Sequence, residues 1–262
     1  MGWSVTTGLD ADYLDVLVAR VYAELQAVPD GPSPERLRAL GLHKSVVLVL
    51  FLLRKNPVQE AAAELFGISQ ATVSRRWNTL LSVVGKVLTR HVPDPAEASA
   101  GRVVLVDGTL VTTCDWKSEC TAMFSGKHRD TGFNLQIAAT LARDLLAVSL
   151  PLPGSRHDAF AWRQSRFPQV FADRDKLEDL GYIGTEVRTG RHKPPGRSHC
   201  AGDKEANQSV STLRADVERA IAHLKDWKIL ATRYRGPPPD SPPSPRPSPP
   251  SPSSERAGDP RK

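Results

Sequence analysis

Apolar positions along this chain change their period once, near residue 100. Before that point they recur at helical spacing: Leu14, Val16, Leu17, Val21 and Leu25 form one stripe, and Val46, Val47, Val49, Leu50 and Leu53, following Leu42, form another. Pro29, Gly31 and Pro32 mark a turn between the two predicted helices. The second stripe is the strongest apolar run, but it is far shorter than the roughly 20 residues that cross a bilayer. Lys44 and Arg54 flank it, so it predicts a buried helix.

Residues 58–81, VQEAAAELFGISQATVSRRWNTLL, predict two short helices broken at Phe66, Gly67 and Ile68. Gly67 can take the left-handed conformation that ends the first helix, and Ser69 can cap the second by accepting a backbone N–H bond. Ala62 and Leu65 are expected to pack on Val73 and Trp77, leaving Gln70, Thr72, Ser74, Arg75 and Arg76 outward. A second helix bearing short polar and basic side chains suits the DNA major groove, so this is a candidate helix-turn-helix. An ordinary helical hairpin with a solvated basic face has the same pattern.

After Arg102 the runs become strand-like: VVLV before Asp107, LVTT after it, LQIAATL from Leu135 and LLAVSLPL from Leu145. Arg143 and Asp144 are expected to make a tight turn, and the reading is an antiparallel meander. A helical segment over residues 158–166 follows, then a short strand-like approach to Asp179 and a basic loop rich in Gly and Pro over residues 189–203. An amphipathic helix from about residue 207 to 227 and a short apolar run over 229–232 close the foldable part. The expected division is a helical DNA-binding region over 1–95, an α/β unit over 102–235 and a Pro/Ser-rich tail over 236–262. That tail has almost nothing apolar to bury and is expected to be disordered.

Composition adds little beyond this. The net charge of +6 is compatible with a polyanionic partner without requiring one. Three cysteines, Cys114, Cys120 and Cys200, form no CxxC pair, so a disulfide framework is not expected and a cytoplasmic setting is. The N-terminus carries Asp10, Asp12 and Asp15 in place of a leader pattern. His192, His199 and Cys200 lack the paired spacing of a zinc site.

Three acids stand where metal-dependent phosphoryl chemistry would use them. Asp107 follows a buried strand in VVLVDGT, Asp179 ends a short apolar approach with Gly181 just beyond it, and Glu218 lies inside the long helix. Hard divalent ions prefer oxygen ligands, and paired ions serve phosphoryl transfer. Taken singly, each acid also reads as an ordinary solvated or capping carboxylate. Arg214, Glu218 and Lys225 return to nearly the same helical face, which lets cations hold phosphates beside a metal-binding carboxylate. Lys127, His128 and Arg129 form a basic run able to hold phosphate or simply face solvent. Asp158 is an alternative second ligand or a helix cap, His157 beside it is structural or a DNA contact, and Trp227 stacks on a base or belongs to the core.

On these phrases the chain resembles the DDE-superfamily endonucleases of bacterial insertion sequences. The matching words are VDGT at Asp107, FSGKHRDTGFNLQ from Phe124, LPGSRHDAFAW from Leu152, DLGYIG from Asp179 and LRADVERAIAHLKDWKIL from Leu213. The upstream helix-turn-helix resembles the module these transposases carry before their catalytic domain. The resemblance implies an RNase H-like α/β fold, a mixed sheet with flanking helices, preceded by the all-α helix-turn-helix region. It also implies transposase activity: cleavage at element ends with Mg²⁺ or Mn²⁺, then attack of a 3′-hydroxyl on target DNA. Asp107, Asp179 and Glu218 would be the catalytic metal ligands, and Arg214, Glu218 and Lys225 match three members of a tyrosine, arginine, glutamate, lysine signature. Ser211 stands where the tyrosine is expected, and the Pro/Ser run replaces an apolar helical stretch, which suggests a frameshift or truncation. The implied partners are double-stranded DNA, at element ends and target, and further copies of the chain on that DNA. No membrane partner is expected, and the expected setting is the cytoplasm, in association with the nucleoid. The competing reading is a non-catalytic DNA-binding remnant or regulator.

Overall fold

The computed structural model describes residues 4–27, 39–114, 120–178, 188–189 and 201–236. The expected turn at Pro29, Gly31 and Pro32, most of the basic loop and the Pro/Ser tail lie outside them, as do His192, His199 and Cys200.

The first half is helical: α1 (Ser4–Thr7), α2 (Ala11–Gln26), α3 (Leu42–Lys55), α4 (Gln59–Phe66), α5 (Gln70–Thr89) and α6 (Pro95–Ala98). Leu14, Leu17, Val21 and Leu25 of α2 meet Val46, Val47, Val49 and Leu50 of α3 and Leu80, Val84 and Val87 of α5 in one core. Val16 falls off that stripe and is exposed. Beside the core, Glu24 takes ion pairs from the exposed Lys86 and Arg90, both at 2.5 Å.

The second half is built on β1 (Val104–Thr112), followed by α7 (Cys120–Met123), β2 (Phe124–Ser125), β3 (Asp130–Thr140), β4 (Leu145–Val148) and β5 (Leu152–Pro153). Then come α8 (Asp158–Gln164), α9 (Phe167–Val170), β6 (Lys176–Glu178), β7 (Arg188–Thr189), α10 (Ala201–Leu224) and α11 (Lys228–Ala231). Strands β3 and β1 run antiparallel through nine register pairs, whereas β1, β6 and β7 are mutually parallel, giving a mixed sheet ordered β2-β3-β1-β6-β7. Strands β4 and β5 share the outer edge of β3 with β2. The expected turn is there: Arg143 has φ 72°, and Thr140 and Asp144 exchange bonds across it. This is the RNase H-like mixed α/β sheet with an all-α region before it.

Two expectations are corrected here. VVLV, Asp107 and LVTT do not flank a strand end; they form one continuous strand, because β3 pairs with β1 through Asp107↔Ile137 and on to Thr112↔Gly132. The long helix also begins earlier than its apolar stripe suggests, at Ala201.

Side-chain alternation assigns the sheet's two faces. Val104, Val106 and Ala138 pack on Trp162 of α8 and on Phe167 and Phe171. Leu105 and Ala139 pack on Val217 and Ala220 of α10, and Val111, Phe133, Leu135 and Ile137 lie under Ile221, Leu224, Leu230 and Tyr234. The C-terminal segment then joins the helical half. Arg54 lies 5.4 Å over the Trp227 ring, Asn56 donates to Thr232 at 2.6 Å, and Arg235 donates to the Asn56 carbonyl at 3.0 Å. Trp227 is half-buried and packs against the helical cluster.

Candidate active site

Asp107 is in the interior of β1, on the face that α10 covers, since it lies between Leu105 and Val111 in the period-2 pattern. Strand β3 pairs with β1 directly at Asp107↔Ile137, and β6 pairs with it just before, at Val104 and Leu105. Above it, Val217, Ala220, Ile221 and Leu224 fix the inward stripe of α10, and Arg143 of the β3–β4 turn bonds Asp216 at 3.0 Å. Arg143 and then Arg219 hold the Asp216 carboxyl below its usual range against the opposing effect of burial. That tie braces a rotation already set by the apolar stripe.

Lys225, just past the end of α10, is half-buried and within electrostatic reach of Asp107. Burial draws its ammonium below the ordinary lysine range, and the Asp107 charge opposes the shift. Glu218, two helical turns earlier on nearly the same face, is exposed to solvent. Both Asp107 and Glu218 have interaction partners in the structure. Strand β6 lies parallel to β1 through Val104↔Lys176 and Leu105↔Leu177 and ends at Glu178; Asp179 itself is outside the described residues. So are the side chains of Ser211 and Arg214 on α10.

Asp158 sits elsewhere. An alanine-type carbon at Gly108, which faces away from Asp107, would meet Asp158 Oδ1 at 2.5 Å. Asp158 therefore approaches β1 from the α8 side, opposite Asp107. Nor does it cap α8: His157 holds the cap position without a side-chain bond, and Asp158 accepts from Asn134 Nδ2 and Lys127 Nζ, each at 3.0 Å. Sequence reasoning misses Asn134 and Gln136 as members of this cluster, although their period-2 spacing inside an apolar strand is the available signal. Lys127 and Arg129 lie on the exposed β2–β3 turn, with Arg129 at φ 52°.

In the helix-turn-helix, Gly67 has φ 65° and closes α4, and Ser69 accepts from the Thr72 amide to cap α5. Ala62 packs on Val73 and Trp77 as expected, but Leu65 is 64% exposed and Ala63 and Phe66 take its place. Arg76 is the larger correction. It lies on the stripe Val73, Arg76, Leu80, Val84 and Val87 and is only 9% exposed, because that stripe faces the core. Gln70 and Arg75 are exposed, Thr72 and Ser74 half-buried. Gln70 donates to Gln59 at 2.7 Å, and Arg75 bonds Thr72 at 3.1 Å.

The donors on the Asp107 face are carboxylates, one on a rigid strand and one on a braced helix, and such hard oxygens fit Mg²⁺ or Mn²⁺ better than a soft metal. Among the described residues no three His, Cys, Asp or Glu side chains gather closely enough to hold an ion.

Residues 106–243 match the family model described as DDE superfamily endonuclease, and residues 38–90 match the helix-turn-helix of DDE superfamily endonuclease. The first match spans β1 through α11 and takes in more than half of the chain. The chain belongs to the DDE superfamily endonucleases. A curated relative from Streptomyces albus G, named "Putative transposase for insertion sequence element IS112", is 30% identical over 194 residues, covering 73% of this chain and 72% of that protein. No solved structure matches the chain. The family's helix-turn-helix model covers α3, α4 and α5, so the helix that precedes α4 belongs to that module too. Among the described residues, no helix of this endonuclease is long and apolar enough to cross a membrane.

Proposed function

We propose that the chain is an insertion-sequence transposase that cleaves DNA at element ends and transfers the strand to a target, with Asp107, Asp179 and Glu218 as divalent-metal ligands. The observation that supports this reading is the packing of α10, the helix that bears Glu218, on the Asp107 face of β1, through Leu105 against Val217 and Ala220. Asp179 is the next residue after β6, the strand paired parallel to β1. These carboxylates would hold a divalent ion, which would supply charge neutralisation at the phosphate and favour deprotonation of the attacking water or hydroxyl.

The chain's own groups supply the rest. Asp107, carried on the central strand, provides a donor whose backbone does not reorganise. Lys225 balances that carboxylate and presents a cation to the phosphate backbone, and Arg214 adds a second cation one turn before Glu218. Gln70 and Arg75, with Thr72 and Ser74 behind them, read the major groove and its phosphates from the head of α5. Arg76 supports α5 from within. Several copies assemble on one DNA, since two ends must be joined.

The test incubates the full chain with Mg²⁺ or Mn²⁺ and DNA carrying the ends of its own element, alongside Asp107→Asn and Glu218→Gln. Cleavage by the parent, with both variants binding but not cutting, is the expected result. Binding without cleavage by the parent identifies a DNA-binding remnant, and absence of binding overturns the reading altogether.

A further inference from the structure

The α8 side of the sheet, opposite Asp107, carries a polar slot that the cleavage chemistry does not use. Its floor is Gly108, whose lack of a side chain leaves the space that Asp158 Oδ1 fills. One wall is β3, where Gln136, fully buried, donates to Asn134 Oδ1 at 3.0 Å, and Asn134 in turn donates to Asp158 Oδ1 at 3.0 Å. The Asp158 side chain is 14% exposed, and its other oxygen accepts from Lys127 at 3.0 Å. A carboxylate enclosed this way is costly unless a cation balances it, and it has little freedom to turn.

Lys127 is that cation, yet its own side chain is 65% exposed. The turn bearing it is held by the Arg129 amide on the Ser125 carbonyl at 2.7 Å and the His128 amide on Ser125 Oγ at 3.4 Å. A second exposed cation borders the slot: the Arg156 carbonyl accepts from Asn134 at 3.5 Å, and its guanidinium stacks 4.9 Å over the Phe160 ring. Surface lysines and arginines ordinarily give up rotamer freedom when they grip a phosphate. Here one is anchored by an enclosed carboxylate and the other by an aromatic ring, so much of that ordering precedes binding.

We propose that Lys127 and Arg156 form a pre-ordered contact for the sugar-phosphate backbone of DNA on the sheet face opposite Asp107, with Asp158 as the positioning residue for Lys127. This rests on the reading of the chain as a DNA-processing enzyme, and it gives Asp158 a role outside metal binding. The contact is to phosphate, so it is independent of base sequence and adds to affinity through counterion release.

The experiment measures binding of the full chain to a fluorescent duplex of arbitrary sequence by anisotropy, across a salt titration, for the parent, Lys127→Gln, Arg156→Gln, Asp158→Asn and the Lys127→Gln/Asp158→Asn pair. Each cation's removal is expected to weaken binding several-fold and to lower the slope of log K against log salt by about one. Lys127→Arg should restore the slope. Asp158→Asn separates positioning from simple charge, because it removes a negative charge and yet is expected to weaken binding, and the double variant should bind no more weakly than Lys127→Gln alone. An unchanged slope in Lys127→Gln, or tighter binding by Asp158→Asn, overturns the proposal while leaving the transposase reading intact. If the parent shows no salt-dependent binding, both fall. Circular dichroism checks the fold of each variant; if Asp158→Asn fails to fold, the slopes of the two cation variants decide.

Discussion

Gly108→Ala tests the packing beside the first aspartate most directly. The added methyl would lie 2.5 Å from Asp158 Oδ1, 3.1 Å from its Cγ and 3.1 Å from Gln136 Nε2. Reaching even a tight contact of 3.0 Å requires the carboxylate to retreat by about half an ångström, and ordinary contact requires closer to one. Asp158 is held at 3.0 Å by both Asn134 and Lys127, so a retreat of that size stretches or breaks the Asn134 bond. Overpacking of this kind costs about 1–3 kcal/mol, and losing one hydrogen bond to a charged group lies in the same range, so the expected destabilisation is about 2 kcal/mol. With a urea m-value of roughly 2–3 kcal/mol/M, the unfolding midpoint should fall by about 0.7–1 M with m unchanged. Asp158→Ala removes the obstacle, so adding Gly108→Ala to it should cost much less, a coupling of about 1–2 kcal/mol. A Gly108→Ala midpoint within about 0.2 M of the parent, or an equal shift in both backgrounds, refutes the reasoning.

Further outcomes follow from other parts of the fold. Phe171→Ala empties the fully buried centre of the β1–α9 core and should cost about 3–5 kcal/mol in chemical denaturation. Gly67→Ala forces an L side chain to hold φ 65° between α4 and α5 and should cost about 1–2 kcal/mol, also read by denaturation. Arg75→Ala should weaken duplex binding with little change in melting temperature, whereas Arg76→Ala should lower the melting temperature, because only the first side chain is exposed. Lys86 and then Arg90 hold the Glu24 carboxyl below its usual value. Its stabilisation is therefore complete above the ordinary glutamate pKa and is lost as pH falls through the depressed one. Glu24→Gln should flatten that acid limb in melting temperatures measured across pH, and an unchanged limb would refute the assignment.

Features set by local chemistry are legible in the sequence alone. The stripes of α2 and α3, the break at Gly67, the cap at Ser69 and the Arg143 turn each depend on residues within a few positions of one another. Burial depends on partners distant in the chain. Arg76 reads as an outward residue because it is charged, but the helix places it on the row that α5 turns toward the core. Asp107 reads as a strand end because it follows the buried run VVLV, yet β3 pairs straight through Asp107 and Gly108. Adjacent strand residues point to opposite faces, and which layer covers each face is settled only when α10 packs on one side and α8 on the other. That packing puts α10 over the Asp107 face and leaves Asp158 on the other, a separation that periodicity along a single strand cannot encode.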